Sequence, residues 1–330
     1  MFQAFLFNAA DPRKFLTLLV GATAALAFAF FAFVLAVDSY DRGHGIFPKR
    51  GTLEGGPRTG NASRGRDPRF NASIVGNSRA QLLEPSRLDA ATGLAFVQLT
   101  VPGTGPREQF TLLDWFMRRH GGGARAVVLG VDNLWCAADA EPPLQYPFPF
   151  WLYEERPLAY ASDLLRGRAL RTAFRRVLLL VGAKKPVRPD GYWDYSDSYT
   201  RNDAWLKVGA TMHGPAYWNT TGMFPILERL RGVLDALPAT TRVVLYVPPL
   251  HVTGLPVAGS ADAAGERACV AALQRIAAER PGTSVADLRQ DNVATRDPLN
   301  FWDASHYAHP MARIAEGRIA AALAKAQTGQ

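Results

Sequence analysis

The feature that most constrains this chain is an alternation of short apolar segments with longer stretches of helical periodicity. The short segments are rich in Val, Ile, Leu and Ala, as strands buried on both faces are. They are Ser73–Gly76, Ala95–Thr100, Ala126–Val131, Arg242–Val247 and Ser284–Leu288. The helical stretches are Arg79–Ala90, Arg107–Arg119, Ser162–Val181, Met223–Leu237, Ala261–Arg280 and Pro310–Ala326. This alternation predicts a three-layer α/β/α domain with a mainly parallel sheet over residues 70–330.

A continuous apolar run, Phe15–Val37, precedes this domain and is long enough to cross a bilayer as a helix. Arg13 and Lys14 come directly before it, which predicts a cytoplasmic segment 1–14 and a domain on the other side of the membrane. The alternative is a cleaved signal peptide with Val34–Ala36 as the cleavage region. An uncleaved anchor is favoured because the run is longer than the apolar region of a usual signal peptide.

Residues 38–69 are rich in Gly, Arg and Pro and lack apolar periodicity, which predicts a linker. The basic residues of this segment suit anionic headgroups or an anionic polymer, and a solvated tether is an equal alternative. The formal net charge of +8 is compatible with each of these and does not separate them. Nucleic acid fits poorly as a partner, because the domain is predicted to be exported through a membrane.

Two polar motifs occur where an α/β sheet exposes its reactive edge, beyond the carboxyl ends of the strands. Gly76–Ser78 follows the first predicted strand, and Asp303–His306 precedes the last predicted helix. A serine, a histidine and an aspartate can serve as nucleophile, base and orienting group in acyl transfer. Each motif also has a purely structural explanation. Ser78 and Gln81 match a helix capping box, and the second motif suits a turn and a helix cap.

The two motifs together resemble those of the SGNH (GDSL-like) hydrolase superfamily, which has a G-D-S block after its first strand and a D-x-x-H block near its C-terminus. Here Asn77 replaces the family's Asp, whereas Asp303 and His306 match in residue and position. The resemblance spans roughly residues 70–324. It implies a flavodoxin-like fold with Ser78 as nucleophile, His306 as base and Asp303 as the group that orients the imidazole.

The resemblance also implies an oxyanion hole with donors from Ser78, Gly103 and a third residue. Gly103 follows the second predicted strand, where the family has an oxyanion-hole glycine, and a turn glycine is the alternative. The family's third block is G-x-N-D, and here Asp132 and Asn133 stand in the opposite order. Asn133 is therefore the candidate third donor, Asp132 is a candidate turn cap, and a hole with two donors is the alternative.

Two aromatic inserts interrupt the sheet pattern, at Leu144–Tyr153 and Tyr192–Trp205. Aromatic rings at strand ends can stack on sugars or hold an acyl chain, which makes Trp151 and Trp193 candidate substrate contacts. The alternative is a hydrophobic cover over the sheet. His251 follows the fourth predicted strand and is a second candidate base or substrate contact.

The cysteine, histidine and glycine patterns limit the chemistry further. Cys136 and Cys269 are the only cysteines, and an exported chain permits a disulfide between them, but one distant pair does not predict it. The sequence has no CxxC, HExxH or clustered His and Cys motif that predicts a metal site, and its glycines form no phosphate-binding loop. The predicted reaction needs no cofactor.

Exported members of the superfamily with a single anchor resemble proteins that act on cell-surface polymers beside a membrane-bound O-acyltransferase. Teichoic-acid D-alanylation and alginate-type O-acetylation proteins are examples. The resemblance therefore implies a serine O-acyltransferase or acyl esterase, anchored in the bacterial cytoplasmic membrane, that acts on an envelope glycan in the periplasm or outside the cell. The implied partners are that glycan or an acyl donor, and a membrane-bound O-acyltransferase. The alternative is a non-catalytic binding or scaffold subunit of an envelope-modification complex.

Overall fold

A computed structural model describes residues 12–43, 45–47, 51, 56–154, 156–165, 168–196, 199, 206 and 218–328. The chain divides into two compact units. The first contains Met1–Leu53 and Arg156–Lys185, and the second contains Glu54–Glu155 and Pro186–Gln330. The domain predicted over residues 70–330 is therefore interrupted by a segment that belongs to the same unit as the N-terminal helix.

The second unit contains a five-stranded sheet in which all neighbouring strands are parallel. The strands are β1 (Ala72–Val75), β2 (Phe96–Gln98), β3 (Ala126–Gly130), β4 (Arg242–Val247) and β5 (Thr283–Asp287). Their order is β2-β1-β3-β4-β5, which is the flavodoxin-like order. The predicted α/β class and parallel sheet are confirmed. In such sheets ligands bind beyond the carboxyl ends of β1 and β3, where the strand order reverses.

The described α-helices lie mostly near the predicted stretches. They are α1 (Pro12–Val37), α2 (Pro57–Arg64), α3 (Pro85–Thr92), α4 (Pro106–His120), α5 (Phe150–Tyr153), α6 (Pro157–Leu164), α7 (Arg168–Leu180), α8 (Pro225–Asp235), α9 (Ala261–Glu279), α10 (Val293–Arg296) and α11 (His309–Thr328). On one face of the sheet, Ile74, Val128 and Tyr246 pack in a core with residues of α3 and α11. The alternate strand residues are also buried, and α4 and α9 contact the sheet. Both faces are therefore covered, as the apolar strands predicted.

The helix predicted over Arg79–Ala90 is wrong in its first half. A 3-10 turn covers Ser78–Ala80, and α3 begins only at Pro85. Proline suits the first turn of a helix but not its interior, because it lacks an N–H and its ring collides with the preceding turn. The predicted helix continued through this proline, whereas the observed α-helix begins at it.

The linker predicted over residues 38–69 is also shorter than expected, because α2 begins at Pro57. This helix has no apolar face that periodicity could reveal, and its buried residues include Asn61 and Arg64. Tertiary hydrogen bonds hold these polar groups, such as the one from Asn61 Nδ2 to the Thr100 carbonyl at 3.4 Å. Contacts with distant segments, rather than local propensity, therefore support α2.

The first unit contains α1, a 26-residue helix that is long and apolar enough to cross a membrane. Of the predicted cytoplasmic segment, residues 1–11 lie outside the described residues. The helix predicted over Ser162–Val181 is two helices, α6 and α7, which belong to this unit. Beyond α1, buried Asp41 pairs with Arg176 of α7 at 3.0 Å.

Cys136 and Cys269 form a disulfide, which the sequence left open. Cys136 lies in a 3-10 turn at Asn133–Cys136, directly after β3, and Cys269 lies in α9. The bridge therefore holds the segment that follows β3 against a helix that covers the sheet. This segment carries the candidate residues Asp132 and Asn133.

Candidate active site

Ser78, His306 and Asp303 form a continuous chain of hydrogen bonds at the carboxyl edge of the sheet. Ser78 Oγ lies 3.0 Å from His306 Nε2, and His306 Nδ1 lies 2.8 Å from Asp303 Oδ2. Ser78 follows β1, and the loop with Asp303 and His306 precedes α11. The predicted contact between the two motifs is therefore present across 228 positions of sequence. The catalytic role of these residues stays a prediction.

The carboxylate of Asp303 orients the imidazole of His306 and sets its tautomer. Its Oδ1 accepts the backbone N–H groups of Ser305 and His306 at 2.7 Å and 2.8 Å, and the Ser305 hydroxyl at 3.0 Å. Burial raises the pKa of Asp303, but the hydrogen bond and charge of the His306 side chain, with the two backbone hydrogen bonds, outweigh it and lower the pKa to about 2. An ionised carboxylate only accepts, so Nδ1–H donates to Asp303, and in the neutral imidazole Nε2 is then the acceptor for the Ser78 hydroxyl.

Asn77, where the chain departs from the family's G-D-S pattern, caps the turn that carries the serine. Its Oδ1 accepts the backbone N–H of Arg79 at 3.1 Å, and its Nδ2 donates to Asp132 Oδ2 at 2.6 Å. The capping box predicted for Ser78 and Gln81 is therefore wrong. Because Asn77 supplies the cap, the Ser78 hydroxyl is bonded to the imidazole instead.

Asp132 is the second departure, since the family pattern has Asn at this position. Its Oδ1 accepts the backbone N–H of Leu134 at 3.0 Å and caps the turn after β3, as the alternative interpretation predicted. Its Oδ2 is bonded to Asn77 and lies 3.6 Å from Arg79 Nη1. The two departures are thus in contact. The pair still consists of one amide and one carboxylate, with their positions exchanged.

The three candidate oxyanion donors border the same cavity as Ser78 Oγ and His306. Gly103 has a φ of +67°, which favours glycine, and a Cβ there would lie 2.6 Å from the Tyr146 ring, so the ring would have to shift for any other residue. Asn133 Oδ1 accepts from Arg79 Nη1 at 2.8 Å, which fixes the amide orientation. Among the described residues, no acceptor binds Asn133 Nδ2 or the backbone N–H of Ser78 or Gly103. These donors remain available to a ligand oxygen.

The cavity has a volume of about 540 Å³ and a positive lining. The guanidinium groups of Arg58 and Arg79 border it, whereas Asp132 is the one acidic side chain of its described lining. Arg58 Nη2 donates to the Pro102 carbonyl at 2.9 Å, and its guanidinium lies 5.3 Å from the centre of the Tyr146 ring. Burial lowers the pKa of Arg58, but arginine stays charged at neutral pH. The site therefore suits a ligand that carries a negative group.

Trp151 and Trp193 are not among the residues that border the cavity. One ring from each predicted aromatic insert does border it, Tyr146 and Tyr199. The Tyr199 ring centre lies 5.1 Å from that of His306, and burial raises the pKa of Tyr199 to about 12, so the phenol is neutral. Residues 197–198 and 200–205 of the second insert lie outside the described residues.

His251 also does not border the cavity. Its Nδ1 accepts the backbone N–H of Thr253 at 3.3 Å and lies 2.8 Å from Thr253 Oγ1. Burial lowers the pKa of His251, although a hydrogen bond to the backbone of Arg296 opposes this. The residue caps a turn after β4, and its predicted role as a base or substrate contact stays a prediction.

Sequence reasoning missed several residues of the site. Arg79 directly follows the first motif and Ser305 lies within the second, so their positions in the sequence could have indicated them. Arg58 lies on the polar helix α2, in the predicted linker, and no sequence pattern indicated it as a site residue. Only the tertiary structure places it beside the serine.

Among the residues that the structure describes, no group of three or more His, Cys, Asp or Glu side chains could hold a metal ion. No protein-family model matches the chain, and a search of curated proteins finds no significant match. The geometry of the site therefore carries the functional argument.

Proposed function

We propose that this protein is a membrane-anchored serine O-acyltransferase or acyl esterase that acts on a cell-envelope glycan through an acyl-serine intermediate. The observation that carries the proposal is the hydrogen-bonded chain of Ser78, His306 and Asp303 at the edge of an open cavity. The resemblance of the two motifs to those of SGNH hydrolases supports the same reaction class. The proposed relationship to that superfamily rests on these motifs and on the strand order.

In the first half-reaction, His306 Nε2 takes the proton of Ser78 as Oγ attacks the acyl carbonyl. The carbonyl oxygen becomes an oxyanion, which the backbone N–H groups of Ser78 and Gly103 and the amide of Asn133 stabilise. The intermediate then collapses, the bond to the leaving oxygen breaks, and His306 returns its proton to that oxygen. The products are the acyl-serine and an alcohol.

In the second half-reaction, a sugar hydroxyl or water loses its proton to His306 and attacks the acyl-serine. Collapse of this intermediate returns the proton to Ser78 Oγ and releases the new ester or the free acid. Arg58 and Arg79 favour a glycan with anionic groups as acceptor, because their charges border the cavity. We propose that Tyr146 and Tyr199 hold the sugar ring and limit the access of water.

The proposal includes the location of the protein in the cell. α1 spans the bacterial cytoplasmic membrane with its N-terminus in the cytoplasm, because Arg13 and Lys14 precede the apolar run. The second unit then lies in the periplasm or outside the cell, next to a membrane-bound O-acyltransferase that supplies the acyl group. A reporter fused after Gln330 should be active only outside the cytoplasm. Release of the full chain by alkaline carbonate would contradict an intact anchor.

A fluorophosphonate probe tests the nucleophile, because it reacts with an activated serine. The full-length protein in detergent should be labelled, and labelling should disappear in Ser78→Ala and fall strongly in His306→Ala. His251→Ala is the matched control, since that histidine also follows a strand of the sheet but does not border the cavity. The mass of an adduct trapped on Ser78 would identify the acyl group. No labelling of the folded wild-type protein would refute the enzyme and favour a scaffold subunit.

A second measurement separates transfer from hydrolysis. We expect slow hydrolysis of a generic acetyl ester and faster loss of the acyl group when an anionic glycan is added. Fast hydrolysis that no glycan alters would favour a plain esterase. Both outcomes require Ser78, so this test concerns the acceptor alone.

A further inference from the structure

The first unit has an exposed apolar stripe in addition to the surface of α1. Leu170, Phe174 and Leu178 of α7, with Val181 directly after it, occur at intervals of four, four and three residues, which places them on one helical face. Their exposed fractions are 38%, 59%, 42% and 71%. The opposite face of α7 is buried and consists of Ala169, Thr172, Ala173, Arg176 and Leu179. Within the described part of the unit, the helix is therefore packed on one side and presents a largely exposed apolar face on the other.

Basic residues border this stripe. Arg171 and Arg175 are exposed and lie one position after Leu170 and Phe174, so they line one edge of the apolar face. Lys184 and Lys185 follow the helix and are also exposed. A helix with an apolar face and a basic edge is typical of segments that lie in the interface of a membrane with anionic lipids.

The position of α7 along α1 agrees with this chemistry. The rings of Phe33 in α1 and Phe174 in α7 have centres 5.9 Å apart. Phe33 lies roughly 27 Å from Phe15 along the helix, at 1.5 Å per residue, and the hydrocarbon core of a bilayer is ~30 Å thick. If α1 enters the core at Phe15, α7 contacts it where the core ends and the headgroup region begins.

The link between the two helices is buried and specific. Asp41, four residues after the end of α1, pairs with Arg176 on the packed side of α7. Both side chains are almost fully buried, at 5% and 3% exposed. Breaking such a pair leaves a charge without its counter-ion, so the pair holds α7 at the end of α1. The apolar stripe is thereby kept next to the lipid-facing surface of α1.

We propose that α7 lies in the membrane interface as a second membrane contact, with its apolar stripe among the acyl chains and its basic edge at anionic headgroups. Leu158 and Leu165, on and just after α6, are further apolar residues of this unit that are exposed, at 85% and 63%. This inference rests on the proposed anchorage by α1. Lipid is favoured over a protein partner because the stripe adjoins a helix whose own exposed side chains require lipid.

Site-directed spin labelling of the full-length protein in vesicles of phosphatidylcholine and phosphatidylglycerol tests the proposal. The native cysteines are joined in a disulfide and are buried, so an introduced cysteine is the reactive thiol. The test variants are Phe174→Cys and Leu178→Cys. Leu26→Cys in α1 reports on the anchor, and Val293→Cys is the control because it is an exposed apolar residue of the second unit. Oxygen partitions into lipid and a nickel chelate stays in water, so the ratio of their collision rates reports immersion.

We expect the ratio at positions 174 and 178 to be several-fold higher than at position 293 and lower than at position 26. It should fall when phosphatidylglycerol is omitted. A high ratio at position 26 with a control-like ratio at 174 would overturn the interfacial contact and leave the anchor intact. A low ratio at position 26 would overturn both. A label at 174 that is shielded in native membranes but water-exposed in pure lipid vesicles would show a protein partner and overturn the lipid contact.

Discussion

The contact between Asn77 and Asp132 joins the two positions at which this chain differs from the SGNH pattern. It therefore predicts how a substitution at either position changes the stability of the protein. Asn77→Asp creates the G-D-S block of that pattern but places a second carboxylate against Asp132. The Asn77 Nδ2 atom now lies 2.6 Å from Asp132 Oδ2, and the side chain of Asp132 is 4% exposed. We therefore expect the substitution that improves the match to the family to destabilise this protein.

The size of the destabilisation depends on whether the two carboxylates of the new pair are both ionised or share one proton. Two ionised oxygens ~3 Å apart repel each other by roughly 5 kcal/mol at an effective dielectric constant of about 20. Protonating one of them at pH 7 costs about 4 kcal/mol, because the reference pKa of ~3.9 lies about three units lower. Protonation is the cheaper route and restores a hydrogen bond, and Arg79 Nη1, 3.6 Å from Asp132, offsets part of the remaining charge. The expected loss in the free energy of unfolding is about 2–4 kcal/mol at pH 7.

Urea unfolding of the full-length chain in detergent, followed by tryptophan fluorescence, measures this loss. The pH dependence has a definite sign. Because the pair shares a proton, its pKa is raised in the folded state, and the folded variant binds more protons than the unfolded one. Its stability relative to wild type should therefore rise as the pH falls from 7 towards 4, where the unfolded carboxyl also becomes protonated.

The matched control is the double variant with Asn77→Asp and Asp132→Asn. It restores one amide and one carboxylate, and both caps keep an acceptor oxygen for the backbone N–H groups of Arg79 and Leu134. We expect it to recover all but about 1 kcal/mol of the loss, and measuring Asp132→Asn alone completes the cycle that yields the coupling energy of the pair. An Asn77→Asp variant as stable as wild type at pH 7, or a double variant no more stable than the single one, would refute the reasoning.

Three further predictions follow from other parts of the second unit. Reduction of the Cys136–Cys269 disulfide, whose cysteines are 133 positions apart, should lower the free energy of unfolding by about 2–5 kcal/mol; an unchanged urea midpoint in dithiothreitol would contradict this. Asp303 has a pKa lowered to about 2 on folding, so it stabilises the fold above the unfolded pKa and loses this effect as the pH falls from about 4 to about 2. The acid-unfolding curve of Asp303→Asn should lack that loss, and curves with the same pH dependence as wild type would argue against it. Tyr146→Ala should weaken the effect of a glycan on turnover more than Trp193→Ala, because only Tyr146 borders the cavity; equal effects would count against the proposed sugar contact.

Several features of this protein were determined by local sequence. The strands were predictable because short segments rich in Val, Ile, Leu and Ala suit a sheet covered on both faces, and each observed strand lies within two residues of its prediction. The apolar run of α1 was equally clear, since its length and composition need no partner to be recognised. Ser78 and His306 were predictable as a pair because parallel strands bring their carboxyl ends to one edge.

Tertiary structure decided the features that depend on which distant segments meet. The exchange of Asn77 and Asp132 looked like two separate mismatches, and only the contact between them explains both. The helix α2 has no apolar periodicity and is held by distant partners, so it was predicted as linker. Periodicity detected α7 but could not show that it packs at the end of α1, with an apolar face left exposed. A sequence pattern shows which face of a segment is apolar, whereas the partner that packs on the segment is determined only when the whole chain has folded.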